Sequence, residues 1–298
     1  MYDLGVLGLD TSHAEAFASV LVDRPDARLT HAWDGGRVRT DEWTSEYATT
    51  HGLELVDEPA DVMAAVDGVL VLAVDWERHL ELATLALEGG VPVLVDKPVV
   101  GSGGDLKRLR DATSSTGTPL FGGSALPWHP MIDALPAGPG ERFLAASGYG
   151  DPFYYGVHLV DAIRHVIDAD WERVAPVDVQ RGIVAVRFGT GAVATCHFDG
   201  PADAATFAFL DVTCEPQPVL VESSSETLQA MYEPYLDAFL ACVRGDRDRT
   251  ATVLDAAELL LAVQACLESG ATIERPSSAI ESVTIPSTAF VAQYEPYY

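Results

Sequence analysis

Short apolar runs alternate with amphipathic stretches from the start of the chain to about residue 122. This alternation constrains the fold, because a buried strand needs a crossover helix before the next parallel strand can join it. The pattern predicts buried strands at residues 4–9, 28–33, 69–74 and 91–95, and helices at residues 14–22, 41–51, 77–88 and 105–115. We therefore expect an α/β domain with a parallel sheet over residues 1–122, ended by the glycine pair Gly122 and Gly123.

The pattern changes after residue 122. It predicts a helix at 156–167, a hairpin of strands 183–188 and 192–198 with a glycine turn, strands at 206–213 and 219–222, and helices at 232–244 and 254–269. Strands that follow one another, with helices at the flanks, are typical of an α+β domain. We expect residues 123–298 to form a second domain with a predominantly antiparallel, open-faced sheet.

The charge of the chain argues against several classes of partner. The formal net charge is −27, from 45 acidic and 18 basic residues in 298. Such a surface repels phosphate backbones and anionic lipid, so we expect neither a nucleic-acid nor a membrane partner. An acidic, lysine-poor surface suits a halophilic, salt-rich cytoplasm, and a codon bias that replaces lysine with arginine is the alternative explanation. With no targeting segment and no membrane-length apolar run in the sequence, we expect a cytoplasmic protein.

The turn after the first predicted strand lies where a dinucleotide fingerprint occurs. Its Gly8 occupies the first glycine position, whereas Asp10 and His13 stand where two further glycines are usual. The Asp10 carboxylate competes with a phosphate for the free N–H groups of the next helix. The hydroxyls of Thr11 and Ser12 can donate hydrogen bonds to phosphate, so these five residues remain candidate cofactor contacts.

The second predicted strand ends at Asp34, close to where an acidic residue binds the adenosine ribose. An aspartate at this position favours NAD over NADP, because a 2′-phosphate would face a carboxylate. Arg37, three positions later, counters that preference. The alternative is that Asp34 only initiates a glycine turn.

Lysine is nearly absent, and one of its two positions is Lys97, directly after the apolar run 91–95. The other is Lys107. A sequence that avoids lysine elsewhere has kept one where a buried strand ends, so Lys97 is a candidate catalytic residue. A lysine that only extends its charge from a strand end to solvent is the alternative.

Several motifs in this order resemble the glucose-fructose oxidoreductase/inositol dehydrogenase (Gfo/Idh/MocA) family. They are Gly8, Asp34, His79 at the start of a helix, Asp96-Lys97-Pro98, and the segment Gly156-Val-His158-Leu-Val-Asp161. The resemblance implies a Rossmann-like domain that binds NAD or NADP, with NAD slightly favoured, and a second domain that binds substrate. It adds Val74, His79 and Lys97 as candidate cofactor contacts, although His79 alternatively caps a helix.

By the same resemblance, Lys97 and His158 fall on the catalytic lysine and histidine, and Asp161 on the acidic residue one turn later. The family's catalytic aspartate lies four residues before the histidine, where this chain has Tyr154. A secondary alcohol loses hydride readily when its hydroxyl proton leaves in the same step. We expect Lys97 to stabilise the developing alkoxide and His158 to accept the proton, with Tyr154 as a hydrogen-bond donor.

The remaining candidates concern the substrate. Trp128, His129 and Tyr155 are predicted to bind it together with His158, with an aromatic cluster in the core as the alternative. The spacing of His158, Asp161 and His165 is compatible with a metal, but no Cys or Glu cluster supports one, so no metal is expected.

The predicted function is hydride transfer between NAD(P) and a hydroxyl carbon of a sugar, cyclitol or related polyol. The alternatives are a non-redox lyase or epimerase on the same scaffold, and a catalytically silent binding or regulatory homologue. An open sheet face needs cover, so we expect a homodimer or homotetramer joined through the C-terminal sheet. The aromatic tail from Tyr294 onward docks either on a partner or on its own domain.

Overall fold

The first half of the chain forms a six-stranded parallel sheet in the order β3-β2-β1-β4-β5-β6. The computed structural model describes residues 1–35, 38–138, 140–200, 205–213 and 216–296. The six strands are β1 Tyr2–Leu7, β2 Ala27–Trp33, β3 Glu54–Leu55, β4 Gly68–Val71, β5 Val93–Val95 and β6 Leu120–Gly122. The order reverses between β1 and β4, and ligands of such sheets bind at that switch point, beyond the carboxyl ends of the strands.

Helices cover both faces of this sheet. They are α1 His13–Leu21, α2 Asp41–His51, α3 Pro59–Met63, α4 His79–Glu88 and α5 Gly103–Thr116. The bounds of α2 match the prediction, because Thr40 caps its first turn by accepting from the Trp43 N–H and Gly52 ends it in the left-handed conformation. The short elements β3 and α3 were not predicted, so the strand expected as the third is the fourth.

The second half forms a seven-stranded sheet in the order β12-β11-β7-β10-β9-β8-β13. Its strands are β7 Phe143–Ser147, β8 Trp171–Asp178, β9 Ile183–Phe188, β10 Val193–His197, β11 Thr206–Asp211, β12 Gln217–Glu222 and β13 Ile273–Glu274. All neighbours pair antiparallel except β7 and β10, which confirms the predicted fold class. The hairpin of β9 and β10 turns at Gly191, which has φ +86°.

The remaining helices are α6 Pro130–Asp133, α7 Gly156–Val166, α8 Ser225–Val243, α9 Thr250–Ser269, α10 Ser278–Glu281 and α11 Thr288–Val291. Helix α8 begins seven residues before its predicted start, because Ser224 caps it by accepting from the Thr227 N–H. Helix α9 is long and apolar enough to cross a membrane by length and composition, yet 67% of that stretch is buried inside the protein. It packs against α7 of its own domain and α5 of the first.

Candidate active site

A cavity of about 310 Å³ lies where the turns after β1 and β5 meet α7 of the second domain. Its volume is at the lower end of the range for small-molecule sites. Seven residues predicted from the sequence to bind cofactor or substrate, or to act in catalysis, line it: Thr11, Ser12, His13, Lys97, Tyr154, Tyr155 and His158. The structure thus brings together residues that lie up to 147 positions apart in the chain.

Gly8 makes the turn after β1 possible. Its φ is +83°, and a Cβ on it would lie 2.8 Å from the backbone nitrogen of Ala73, beyond the end of β4. A side chain would therefore both strain the turn and separate β1 from β4. This is the packing that a nucleotide-binding turn needs at its first glycine.

Asp10 ties the same turn to the end of β4. Its Oδ2 accepts a hydrogen bond from the Val74 N–H at 3.2 Å, and its Oδ1 is buried with no hydrogen-bond partner among the described residues. Burial raises the pKa of Asp10 to about 6. The N–H of Val74, a predicted cofactor contact, is therefore already bonded to Asp10.

The amino end of α1 faces the cavity and is contacted by the C-terminal tail. The Ser12 N–H donates to the Tyr294 hydroxyl at 3.3 Å. The Thr11 hydroxyl is buried and has no hydrogen-bond partner among the described residues. One donor of this helix end is therefore satisfied by the protein itself, and a neighbouring polar group is left for a ligand.

Asp34 lies at the end of β2, half-buried. Its two carboxylate oxygens accept from the Leu9 N–H at 3.3 Å and from the Thr44 hydroxyl at 3.0 Å. The carboxylate therefore fixes the β1 turn as well as offering lone pairs to a ribose. Arg37 lies outside the described residues.

Lys97 is almost fully buried, and its side chain faces aromatic rings. Its Nζ lies 3.0 Å from the centroid of the Tyr154 ring and 5.3 Å from that of Tyr155. No hydrogen bond to Nζ is formed within the described part of the chain. Burial lowers the pKa of Lys97 to about 7, although the nearby charges of Asp96 and Asp151 oppose the shift.

Asp96 anchors the backbone before Lys97. Both of its carboxylate oxygens lie 2.9 Å from His13 Nδ1, and Oδ1 also accepts from the Lys97 N–H at 2.7 Å. Burial alone would raise the pKa of Asp96, but His13 and Lys97 outweigh it and lower this pKa to about 2. The His13 side chain thus binds Asp96 at the end of β5. Its ring also stacks on Phe17, with ring centroids 5.0 Å apart.

Tyr154 fills the place between Lys97 and the C-terminal tail. Its ring centroid lies 3.9 Å from that of Phe290 and 6.3 Å from that of Tyr294. Burial, followed by the charges of Tyr294 and Asp96, raises the pKa of Tyr154 well above 10. Tyr154 therefore remains a neutral phenol and cannot act as a base.

His158 is held by a serine from the crossover between the domains. Ser124 Oγ lies 2.6 Å from His158 Nδ1 and also accepts from the Leu126 N–H at 3.0 Å. The His158 ring packs against Phe207 with centroids 4.9 Å apart. Burial, then the charge of Lys97, lowers the pKa of His158 well below 6.5, so the imidazole is neutral.

Asp161 does not face the cavity, although it shares a helix with His158. Its Oδ2 accepts from the Ser124 N–H at 2.5 Å, and Gly123 leaves room for it, since a Cβ there would lie 2.5 Å from this oxygen. Burial raises the pKa of Asp161 to about 7. The residue acts on the site through Ser124 and not by direct contact with the His158 ring.

Three further predicted residues lie away from the cavity. His79 is buried, with Nε2 2.7 Å from the Ala73 carbonyl and Nδ1 2.9 Å from the Pro98 carbonyl, so it links the loops after β4 and β5. His129 caps α6 by accepting from the Met131 N–H. Trp128 packs between Phe121 and Tyr235, with its ring also near Arg249. The structure gives these side chains packing and linking contacts.

The side chains of His158, Asp161 and His165 do not meet at a common metal-binding point, although their spacing in the sequence is compatible with one. His165 Nε2 lies 3.1 Å from Asp133 Oδ1, His158 Nδ1 lies 2.6 Å from Ser124 Oγ, and Asp161 Oδ2 accepts from the Ser124 N–H. No group of three or more His, Cys, Asp or Glu side chains with metal-binding geometry occurs in the described ranges.

Two residues that shape the site escaped the sequence analysis. Ser124 has no motif around it, and only its contact with His158 reveals a role. Tyr294 was recognised as part of an aromatic tail, but its contact with Ser12 spans 282 positions and has no local signal. Other cavity residues that the sequence analysis did not predict are Leu126, Phe207, Ser223, Leu228, Met231 and Tyr232.

The strand order and the Gly8 turn define the first half of the chain as a Rossmann-type nucleotide-binding domain. Residues 3–124 match the sequence profile of the Gfo/Idh/MocA oxidoreductase family, which has an NAD-binding Rossmann fold. The predicted resemblance to this family is confirmed over these residues, which form the parallel-sheet half of the chain. None of the curated protein sequences matches the chain.

Solved structures share the fold over nearly the whole chain. Myo-inositol 2-dehydrogenase from Lactobacillus plantarum has a TM-score of 0.75 at 14% identity, covering 92% of this chain and 99% of that one. Scyllo-inositol dehydrogenase from Lactobacillus casei has a TM-score of 0.75 at 12% identity, covering 93% and 99%. GenD2 from gentamicin A biosynthesis, solved in complex with NAD, has a TM-score of 0.73 at 17% identity, covering 92% and 96%. At these identities the likeness concerns the fold.

The nucleotide-binding turn fits a dinucleotide in part. The Gly8 turn, the amino end of α1, the unpaired Thr11 hydroxyl and the Asp34 carboxylate are suited to its phosphates and ribose. Asp10 and the Tyr294 hydroxyl occupy groups of the same turn, but Tyr294 belongs to a tail whose displacement would free the Ser12 N–H. The donor set therefore fits the cofactor once the tail hydroxyl is displaced.

Proposed function

We propose that the protein is an NAD(P)-dependent oxidoreductase that transfers hydride between nicotinamide and a hydroxyl carbon of a sugar, cyclitol or related polyol. One observation carries this proposal: a buried lysine of low pKa and a neutral histidine, Lys97 and His158, line one cavity beside the amino end of a Rossmann α1 helix. A secondary alcohol is oxidised when a base and a stabilising group meet at its oxygen.

The cofactor contacts proposed are Gly8, Thr11, Ser12 and Asp34. The nicotinamide, when bound, supplies the acceptor for the hydride that leaves the carbinol carbon. The chain itself holds the substrate hydroxyl between Lys97 and His158 and excludes bulk water by the aromatic walls of the cavity. A single carboxylate at Asp34 favours NAD over NADP, because a 2′-phosphate would be repelled.

A polyol substrate is supported by the composition of the cavity and by the fold neighbours. Tyr149, Tyr155, Phe207 and Tyr232 supply flat apolar surfaces of the kind on which the C–H face of a sugar ring packs. Solved structures of similar fold include a myo-inositol 2-dehydrogenase and a scyllo-inositol dehydrogenase. We therefore propose a substrate of cyclitol or sugar size.

The experiment that tests the proposal is a titration with NAD and with NADP, followed by a substrate panel. Binding is expected to raise the melting temperature and change tryptophan fluorescence, with NAD the tighter of the two. Absorbance at 340 nm is then followed with cyclitols, aldoses and alditols. If neither nucleotide changes fluorescence or melting temperature, the dehydrogenase proposal fails.

A specific observation favours the second candidate, a non-redox enzyme or silent homologue. The Ser12 N–H is already bonded to Tyr294, and the Val74 N–H to Asp10, so two donors near the phosphate path are taken up by the protein. A bound nucleotide without any absorbance change over the polyol panel would support a lyase or epimerase. A cavity that binds polyol but no nucleotide would support the silent homologue.

We also propose a homodimer or homotetramer joined through the outer face of the C-terminal sheet. That face carries exposed apolar side chains, with Val177 and Leu220 each 60% and Phe143 45% exposed in the single chain. Apolar surface of this kind is usually covered in an assembly. Light scattering at working salt tests this, and a monomeric mass would overturn it.

A further inference from the structure

The hydrogen-bond partners of Ser124 determine which nitrogen of His158 carries the proton. Ser124 is buried, and its Oγ has two neighbours at hydrogen-bond distance among the described residues, the Leu126 N–H and His158 Nδ1. The Leu126 N–H can only donate, so Oγ accepts from it. The hydroxyl then has one proton to place, and His158 Nδ1 is the acceptor within reach, at 2.6 Å.

The opposite assignment leaves a buried group unsatisfied. If Nδ1 carried the proton, Oγ would accept from both neighbours, and its own O–H would have no acceptor among the described residues. A buried donor without an acceptor is costly, whereas the first arrangement satisfies every group. The neutral imidazole therefore has a bare Nδ1 and a proton on Nε2.

We propose that Ser124 is a positioning residue that holds His158 with its proton on Nε2, so that His158 donates a hydrogen bond to the substrate oxygen and Lys97 takes the hydroxyl proton. This rests on the proposed dehydrogenase function and reverses the roles expected from the sequence. In the oxidation, the O–H bond breaks and an N–H bond forms on the neutral Lys97 amine. The electron pair left on oxygen becomes the carbonyl bond as the carbinol hydride leaves for the nicotinamide.

The groups around Lys97 are compatible with this assignment. Asp96 stays a carboxylate with a pKa of about 2, and Tyr154 stays neutral because burial raises its pKa. His158 stays neutral because burial lowers its pKa well below 6.5. Of the four groups Asp96, Lys97, Tyr154 and His158, Lys97 has the pKa near neutrality, at about 7. The titratable or charged groups facing Lys97 are Asp96, His13, Asp151, Tyr154, Tyr155, Tyr294 and His158.

Asp161 belongs to the same arrangement. Its carboxylate receives the Ser124 N–H, and this contact fixes the crossover loop from which the hydroxyl reaches Nδ1. The chain Asp161, Ser124, His158 therefore orients the imidazole without placing a carboxylate against it. A carboxylate on Nδ1 would instead have favoured the tautomer with a bare Nε2, which is the form that acts as a base.

The test is nitrogen-15 NMR of histidine-labelled full-length protein without ligand, with the His158 signals assigned by their loss in His158→Gln. We expect a bare Nδ1 and a protonated Nε2. In Ser124→Ala the ratio of the two tautomers should shift toward protonated Nδ1 by about two- to tenfold, the effect of one hydrogen bond. Ser124→Thr, which keeps the hydroxyl, is the matched control and should retain the native tautomer.

A protonated Nδ1 in the unmodified protein, or a tautomer ratio unchanged in a folded Ser124→Ala protein, would overturn the proposal. This readout needs no cofactor or substrate, so it stays decisive if the protein has no dehydrogenase activity. Where activity is present, His158→Gln, which keeps an N–H donor, should retain at least tenfold more kcat/KM than His158→Ala. Equal losses in the two variants would count against a donor role for His158.

Discussion

The dependence of alcohol oxidation on pH follows from the burial of Lys97. With a pKa of about 7, Lys97 is mostly neutral at pH 8 and about 1% neutral at pH 5. If the neutral amine accepts the substrate proton, kcat/KM should fall about 50-fold between pH 7 and pH 5, and the slope should approach tenfold per pH unit well below pH 7. Protonation of His158 does not add a second change in kcat/KM near neutral pH, because its pKa lies well below 6.5.

The assay is the initial rate at 340 nm with subsaturating polyol and saturating NAD, at constant ionic strength from pH 5 to pH 9. Circular dichroism at each pH checks that the protein stays folded. Lys97→Arg is the matched variant: its guanidinium stays protonated over the whole range, so activity should fall at least 100-fold and not recover at high pH. A profile that is flat down to pH 5, or one that Lys97→Arg leaves unchanged, would refute a base role for Lys97.

Three further outcomes are expected. Folding lowers the pKa of Lys97 from 10.5 to about 7, so the unfolded chain binds more protons between these pH values and the stability of the native protein rises with pH across that window. Lys97→Met removes this effect, so its gain in unfolding free energy, measured by urea titration, should be about 3 kcal/mol larger at pH 6 than at pH 9. An equal gain at both pH values would contradict a buried amine. For Asp10 folding raises the pKa from 3.8 to about 6, so stability is lost as pH rises through that window. Asp10→Asn should therefore stabilise the protein by about 2 kcal/mol more at pH 8 than at pH 4. The same substitution should tighten NAD binding, and weaker binding would show that the carboxylate contacts the cofactor. Tyr294→Phe removes the hydroxyl that occupies the Ser12 N–H, so NAD should bind about two- to tenfold more tightly by calorimetry; weaker binding would mean that this hydroxyl serves the nucleotide.

Elements with local signals were predicted well from the sequence. Helix α2 was predicted to the residue because Thr40 and Gly52 supply its cap and its end within the segment itself. Strand β7 escaped because its residues 143–147 contain two alanines and a serine, and only pairing with the distant strands β10 and β11 makes it a strand. Strand β8 contains Pro176 and charged residues, and it too is defined by its neighbours in the sheet.

The site divides in the same way. Lys97 and His158 were predicted because a rare residue and a spaced motif can be recognised in the sequence alone. Both residues line the cavity. The spacing of His158 and Asp161 places them on neighbouring positions of α7 but does not fix where each side chain points. Asp161 turns to Ser124, because the crossover loop presents a buried N–H there and Gly123 leaves the space. Long-range contacts of this kind have no sequence signature.

The departure from the family pattern in the second domain, Tyr154, has two consequences that act in the same direction. Tyr154 replaces the carboxylate expected four residues before His158, so no anion from that position holds the Lys97 amine in its protonated form, and burial under the tyrosine rings favours the neutral amine instead. Without that carboxylate, Nδ1 of His158 is left to Ser124, which donates to it and keeps the proton on Nε2. One substitution thus removes a base at the imidazole and creates one at the lysine. A tyrosine in this position is therefore compatible with hydride transfer, provided that the proton leaves through Lys97.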